Sequence, residues 1–141
     1  MCLSQIMELK VGIKGFEKVR VTDELTATAY GSGLVDVFAT PAMIALMEKT
    51  CQLSVQSLLL EGNITLGTLV NIKHLKATPI GLMVKCTSEL IAVDGRKLTF
   101  SVSASDEQGL IGEGLHERHI VNKSDFMNKL KTNKSDERGS S

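Results

Sequence analysis

Phe38-Ala39-Thr40-Pro41-Ala42-Met43-Ile44-Ala45-Leu46-Met47-Glu48 is the stretch on which the reading of this 141-residue chain turns. Thr40 has the chemistry of an N-cap, and Pro41 suits the first helical position, where its missing N–H has no partner inside the helix. Six apolar residues follow without interruption. The pattern predicts a helix from Pro41 to about Leu60, closed by Glu61-Gly62-Asn63. A helix apolar on nearly every side has to be enclosed by protein. On the helical period the neighbours of Glu48 on its own face are Ile44, Ala45, Cys51, Gln52 and Val55. The one carboxylate of the run is therefore expected to be only partly hydrated.

Downstream the period changes to two. Thr68, Val70, Ile72 and His74 are expected on one face of a strand, with Asn71 and Lys73 on the other. After a turn at Ala77-Thr78-Pro79-Ile80-Gly81, the set Leu82, Val84, Cys86, Ser88, Leu90 and Ala92 alternates. It ends at Asp94-Gly95, a dipeptide that favours a type I′ hairpin turn. Leu98, Phe100, Val102 and Ala104 alternate with polar residues, and Asp106-Glu107-Gln108-Gly109 turns the chain into a last strand from about Leu110 to Val121. Upstream, Val19, Val21 and residues 25–30 suggest short extended pieces broken by Thr22-Asp23-Glu24, and Gly31-Ser32-Gly33 opens a loop into the helix. Residues 124–130 are expected to add a short capped helix. A twisted antiparallel sheet needs its apolar face covered, and the long helix is the only apolar element available to cover it. The expectation is one α+β domain over residues 1–130, its sheet wrapped around a central helix, followed by a polar, mobile tail over 131–141.

Composition narrows the functions. Lysine plus arginine and aspartate plus glutamate each total 16, so the broad basic footprint of a nucleic-acid or anionic-membrane binder is missing. The apolar runs fall well short of the roughly 20 residues that cross a bilayer, and the N-terminus has no leader pattern. Cys2, Cys51 and Cys86 are odd in number and widely spaced, which fits reduced thiols in a cytoplasmic protein better than disulfides or a zinc site. No nucleic acid, membrane or metal is expected as a partner.

Thr40 and Glu48 lie about 12 Å apart along a helix axis and about 80° around it. Helical side chains lean toward the N-terminus, so Glu48 reaches back toward Thr40 and leaves room of a few ångströms for a water or a reacting carbonyl. His74 continues the face of Val70 and Ile72, which the sheet turns toward the helix. Each residue also has a plainer reading: Thr40 as a cap alone, Glu48 solvated beside Lys49, and His74 as a hydrogen-bonded core histidine. His116 and His119 fall on opposite faces of the last strand and make no metal pair. No triad motif or glycine-rich phosphate loop is present, and Lys73, Arg96 and Lys97 are candidates only for contact with an anionic ligand, since surface lysines usually just solvate the fold.

Four blocks of the chain, in order, resemble the fluoroacetyl-CoA thioesterase family of hotdog-fold proteins. They are Ala39-Thr40-Pro41-Ala42 with Glu48; Val70-Asn71-Ile72-Lys73-His74-Leu75-Lys76-Ala77-Thr78-Pro79; Val93-Asp94-Gly95-Arg96-Lys97-Leu98-Thr99-Phe100; and Ile111-Gly112-Glu113-Gly114-Leu115-His116-Glu117-Arg118. The resemblance implies a homodimeric hotdog domain, with a dimer of dimers as a further arrangement, that hydrolyses a short-chain acyl-CoA to the free acid and CoA. It implies Thr40, Glu48 and His74 as the catalytic set. Gly67 matches a glycine that places the acyl carbonyl. Arg118 falls in the His-Glu-Arg block and is expected to pair with a carboxylate or hold structure. Leu34-Val35-Asp36-Val37-Phe38 stands where the family carries a phenylalanine-bearing lid, which makes Phe38 the substrate-contact candidate there. No cofactor is implied, since CoA is part of the substrate. The alternative is a non-catalytic hotdog protein that binds acyl-CoA; a hydratase of this fold would need a Gly-Asp-x-Asn-Pro loop that the chain lacks.

Overall fold

The computed structural model describes residues 9–140; Cys2 and the first residues of the expected domain lie outside them, as does residue 141. The order is β1 (Lys14–Arg20), a 3-10 turn (Asp23–Leu25), α1 (Ala27–Tyr30), α2 (Thr40–Gln56), β2 (Asn63–His74), β3 (Met83–Asp94), β4 (Lys97–Asp106), β5 (Gly109–Asn122) and α3 (Lys123–Ser140). The five strands form one antiparallel sheet in the order β1-β3-β4-β5-β2. The expected α+β architecture is present: the sheet's apolar face closes on α2, whose Met43, Met47, Cys51 and Val55 are buried against Val84, Leu90, Leu98, Phe100 and Ile111. Among the described residues no helix is long and apolar enough to cross a membrane.

Several local expectations are revised. Residues 25–30 are not extended: the 3-10 turn and the single turn of α1 replace them, capped by the Thr26 hydroxyl, which accepts from the Ala29 N–H, and by Gly31 at φ 71°. The central helix ends at Gln56, four residues earlier than its apolar pattern suggests, because residues 57–60 leave the helix to lead into β2. At the β3–β4 hairpin, positive φ occurs at Gly95 (61°) and not at Arg96, the pattern of a type II′ turn and not the type I′ turn expected. The last helix continues through residues 131–140, where a tail was expected.

Two irregularities change which side chains face α2. In β3 the register shifts between Leu90 and Ala92, so the buried alternation Val84, Cys86, Ser88, Leu90 stops there and Ala92 is exposed. In β2 it shifts between Gly67 and Leu69, leaving Thr68 as the extra residue. Ahead of this bulge the odd-numbered residues face the helix, as buried Thr65 does; beyond it the even-numbered residues do, and Ile72 packs on the core. Thr68 is consequently not on the His74 face. Its hydroxyl bonds His119 Nδ1 at 2.9 Å on the outer side of the sheet.

Gly114 shows how closely β2 is drawn onto β5. A Cβ there would strike the Asn71 carbonyl oxygen and come within 2.8 Å of Ile72 Cα, both backbone atoms that cannot swing aside. Gly114→Ala is expected to lower stability by about 1–3 kcal/mol, measured as an earlier denaturation midpoint; a midpoint equal to the parent's would contradict this packing.

Candidate active site

Thr40 is the first residue of α2, and the N-cap is Ala39, whose side chain has nothing to offer a helix end. The Thr40 hydroxyl is thereby released from capping. It lies 2.7 Å from His74 Nδ1, so the structure joins two of the three residues singled out from the sequence. Their contact lies in a cleft of about 290 Å³ lined by Ala27, Ser32, Val37, Phe38, Leu75 and Lys76 beside the pair itself. Backbone bonds hold its walls: the Phe38 N–H donates to the Thr78 carbonyl and the Ala39 N–H to the Leu25 carbonyl, both at 2.8 Å. Phe38 is a core residue, 1% exposed, whereas Leu34 of the same segment is 97% exposed. Burial of the His74 imidazole lowers its pKa below the ordinary value, outweighing a hydrogen bond with the Lys76 backbone. His74 Nε2 is buried and has no hydrogen-bond partner among the described residues.

Glu48 is not part of that cleft. It lies two helical turns along α2, above Gly67. A Cβ at Gly67 would be 2.7 Å from Glu48 Oε2, so glycine is what lets the carboxylate rest on the β2 backbone. Arg118 Nη1 stands 3.9 Å from the same oxygen. The expectation that Glu48 is partly hydrated agrees with its side-chain exposure of 41%. Within one chain the expected three-residue cluster is therefore divided. The Thr40–His74 pair is at one end of β2 and the acid is near its bulge, eight residues further along α2, about 12 Å on the helix axis.

Sequence reasoning weighed His116 only against a metal pair and missed what it does. It is 1% exposed and alternates with Arg118 on the helix-facing side of β5, a period-two signal that was available. His116 Nδ1 bonds the Leu69 carbonyl at 2.8 Å, and Nε2 meets Arg118 Nη1 at 3.1 Å. Arg118 also donates from Nε to Thr65 Oγ1 and from Nη2 to the Thr65 carbonyl, at 2.7 and 2.9 Å. Burial lowers the pKa of both the imidazole and the guanidinium.

Among the described residues no cluster of three or more His, Cys, Asp or Glu is arranged to hold a metal. Of the basic candidates, Lys97 pairs with Glu117 at 4.0 Å, and Lys73 lines a groove of about 740 Å³ on the sheet's outer face, away from Thr40, Glu48 and His74.

Residues 21–124 match the model of the fluoroacetyl-CoA-specific thioesterase family. The chain is 42% identical over 96 residues to the fluoroacetyl-CoA thioesterase of Streptantibioticus cattleyicolor, covering 68% of this chain and 69% of that one. A solved structure of a fluoroacetyl-CoA thioesterase superposes with a TM-score of 0.83 at 35% identity, over 88% of this chain and 96% of the other. Variants of that enzyme have been solved with acetyl-CoA and with fluoroacetate. A hot-dog-like protein from Thermanaerovibrio acidaminovorans, 23% identical over 87% of this chain and 91% of its own, shares the fold with a TM-score of 0.81.

The lowered pKa values of His74 and His116 have a measurable consequence. Both imidazoles are favoured neutral in the folded chain. Their contribution to stability is complete above the ordinary value of 6.5 and is lost as pH falls through the lowered folded values. NMR titration should place both below 6.5, and denaturant midpoints should fall with pH over the same window. Titration of either above 6.5 would contradict the burial described.

Proposed function

This chain belongs to the fluoroacetyl-CoA-specific thioesterase family, and on that footing we propose that it hydrolyses short-chain acyl-CoA at a site made from Thr40, Glu48 and His74. The protein is a hotdog-fold thioester hydrolase; water and the acyl-CoA give a carboxylic acid and free CoA. The observation that carries the site assignment is the 2.7 Å contact between Thr40 Oγ1 and His74 Nδ1, made by a hydroxyl that caps nothing.

We infer that a second copy brings Glu48 to that pair. β2 is an edge strand with Leu69 and Val70 exposed at 43% and 45%, and a long unpaired edge invites strand addition. In an antiparallel pairing about a two-fold axis at Asn71, Val70 lies opposite Ile72 of the second copy and Leu69 opposite Lys73. The extra residue Thr68 then brings Gly67 level with His74 of that copy, both on the helix-facing side. Glu48 of one chain thus meets the Thr40–His74 pair of the other, and the unpartnered His74 Nε2 gains a neighbour.

At such a site Glu48 acts on the thioester carbonyl, as base toward a water or as nucleophile. Thr40 hydrogen-bonds the water or the intermediate, and His74 fixes the hydroxyl and manages its proton. Backbone N–H groups at the start of α2 or beside Gly67 hold the oxyanion. A thiol with a pKa near 8.5 leaves without a strong acid. Arg118 faces Glu48 from the protein side, and Gly67 leaves room for both the carboxylate and the acyl carbonyl. In the relative's structures, a phenylalanine and a threonine replaced in different variants are six residues apart. Six residues before Thr40 in this chain stands the exposed Leu34, which favours an aliphatic and less selective cover over the acyl group than an aromatic one. The reading requires no cofactor, and the buried free thiols of Cys51 and Cys86 are in keeping with a reducing, cytoplasmic setting.

Glu48→Gln and His74→Ala are each expected to abolish CoA release from acetyl-CoA, followed with a thiol reagent. Mixing the two variants through denaturation and refolding should restore about a quarter of the parent activity, because half the dimers are mixed and one of the two sites in each is intact. No recovery on mixing would contradict the shared site. Full activity in both single variants would contradict the site residues altogether.

A further inference from the structure

We propose that His116 is a positioning residue for Glu48: its neutral imidazole holds Arg118 with one nitrogen and the bulged stretch of β2 with the other, so that the guanidinium meets the carboxylate from one fixed direction. This rests on the reading of Glu48 as the reacting carboxylate.

Hydrogen-bond chemistry fixes the state of the ring. A backbone carbonyl only accepts, so the 2.8 Å contact with Leu69 requires a proton on Nδ1. A guanidinium only donates, so the 3.1 Å contact with Arg118 Nη1 requires a lone pair on Nε2. Both conditions hold at once only in the neutral Nδ1–H tautomer. The ring has little freedom otherwise, with Phe100 stacked at a centroid distance of 6.5 Å and Gly67 beside its Cε1.

Arg118 is equally constrained. Thr65 takes Nε and Nη2, and His116 takes one hydrogen of Nη1, which leaves the other to face Glu48 Oε2 at 3.9 Å. Leu69 is the first residue after the bulge, so one imidazole connects the backbone irregularity to the group in front of the acid.

Protonation of His116 would undo this arrangement. It would remove the acceptor for Nη1 and set two cations against each other in a buried space. The groups around the ring are Arg118 on β5, Glu48 on α2, the Leu69 carbonyl on β2 and Phe100 on β4; the charge of Glu117 acts from the outer face of β5, and Cys51 on α2 influences Arg118. Burial and Arg118 oppose protonation while the Leu69 carbonyl, Glu48 and Glu117 favour it, and the opposing influences prevail.

The test compares His116→Phe, His116→Gln, Glu48→Gln and the outer-face control His119→Gln in acetyl-CoA hydrolysis from pH 4.5 to about 8, with melting curves to confirm folding. His116→Phe should lower kcat on the order of 10- to 100-fold with KM little changed, the size of effect that a displaced reacting group produces. His116→Gln, whose amide oxygen can still accept from Arg118, should recover most of that loss. Its acid limb should be shallower and shifted to lower pH, because a titrating group has been removed. His119→Gln should match the parent. A folded His116→Phe with parental kcat, a His116→Gln as impaired as His116→Phe, or an unchanged acid limb in His116→Gln would overturn the proposal. Should the phenylalanine variant fail to fold, the acid limb of the glutamine variant decides alone. Activity surviving in Glu48→Gln would defeat the underlying site reading instead, whereas an inactive Glu48→Gln beside a fully active His116→Phe would defeat only this inference.

Discussion

One extra residue in an edge strand sets the geometry of the whole site. In a regular strand, Gly67 and His74 would point to opposite faces, because their separation of seven is odd and side chains alternate. The bulge at Thr68 cancels that mismatch. It lets the backbone seat of Glu48 and the imidazole that holds Thr40 both look toward the central helix. Register in such a strand is stiff, since a slip of one residue would exchange every buried side chain of β2 for an exposed one. The paired ladder to β5 and the tie from His116 to the Leu69 carbonyl hold the bulge in place.

Around that constraint the proposed site is arranged as two half-sites, each backed by an imidazole. At the tip of the central helix, an alanine cap leaves the Thr40 hydroxyl for His74. Two helical turns further on, Glu48 rests on a glycine, with a guanidinium anchored by Thr65 and His116 behind it. Neither half has what thioester hydrolysis needs. One offers a hydroxyl and a neutral base but no carboxylate; the other offers a carboxylate, 41% exposed, with nothing across from it. In the proposed dimer, the β2 edge is buried against a second β2, which satisfies the strand's free backbone groups and brings the halves together. Under that proposal, association and catalysis are two consequences of the same edge.

Much of this was legible in the residues. The uninterrupted apolar run after Thr40 located the buried helix, and the alternation Leu98, Phe100, Val102, Ala104 located a strand that is buried at those four positions. Thr40, Glu48 and His74 were singled out as a set through resemblance, because spacing alone could not separate a catalytic threonine from a capping one. The bulges were not legible. Thr68 looks like any strand threonine in a period-two count, and nothing in Leu90-Ile91-Ala92 announces a shift; both depend on pairing with another strand. Asp94-Gly95 pointed correctly to a hairpin and wrongly to its turn type, since the glycine's positive φ serves II′ at the first central position. His116 went unrecognised because its role is defined by Leu69 and Arg118, partners set by the sheet and not by local sequence.

A crystal structure of the protein with CoA and a short carboxylic acid bound tests the central claim most directly. The account predicts two chains joined along β2 with Asn71 on the two-fold axis. It further predicts that the acid's carboxylate lies between Glu48 of one chain and the Thr40–His74 pair of the other, within hydrogen-bond distance of both. Chains joined through another surface, with Glu48 turned to bulk solvent and no second chain's His74 near it, would contradict it.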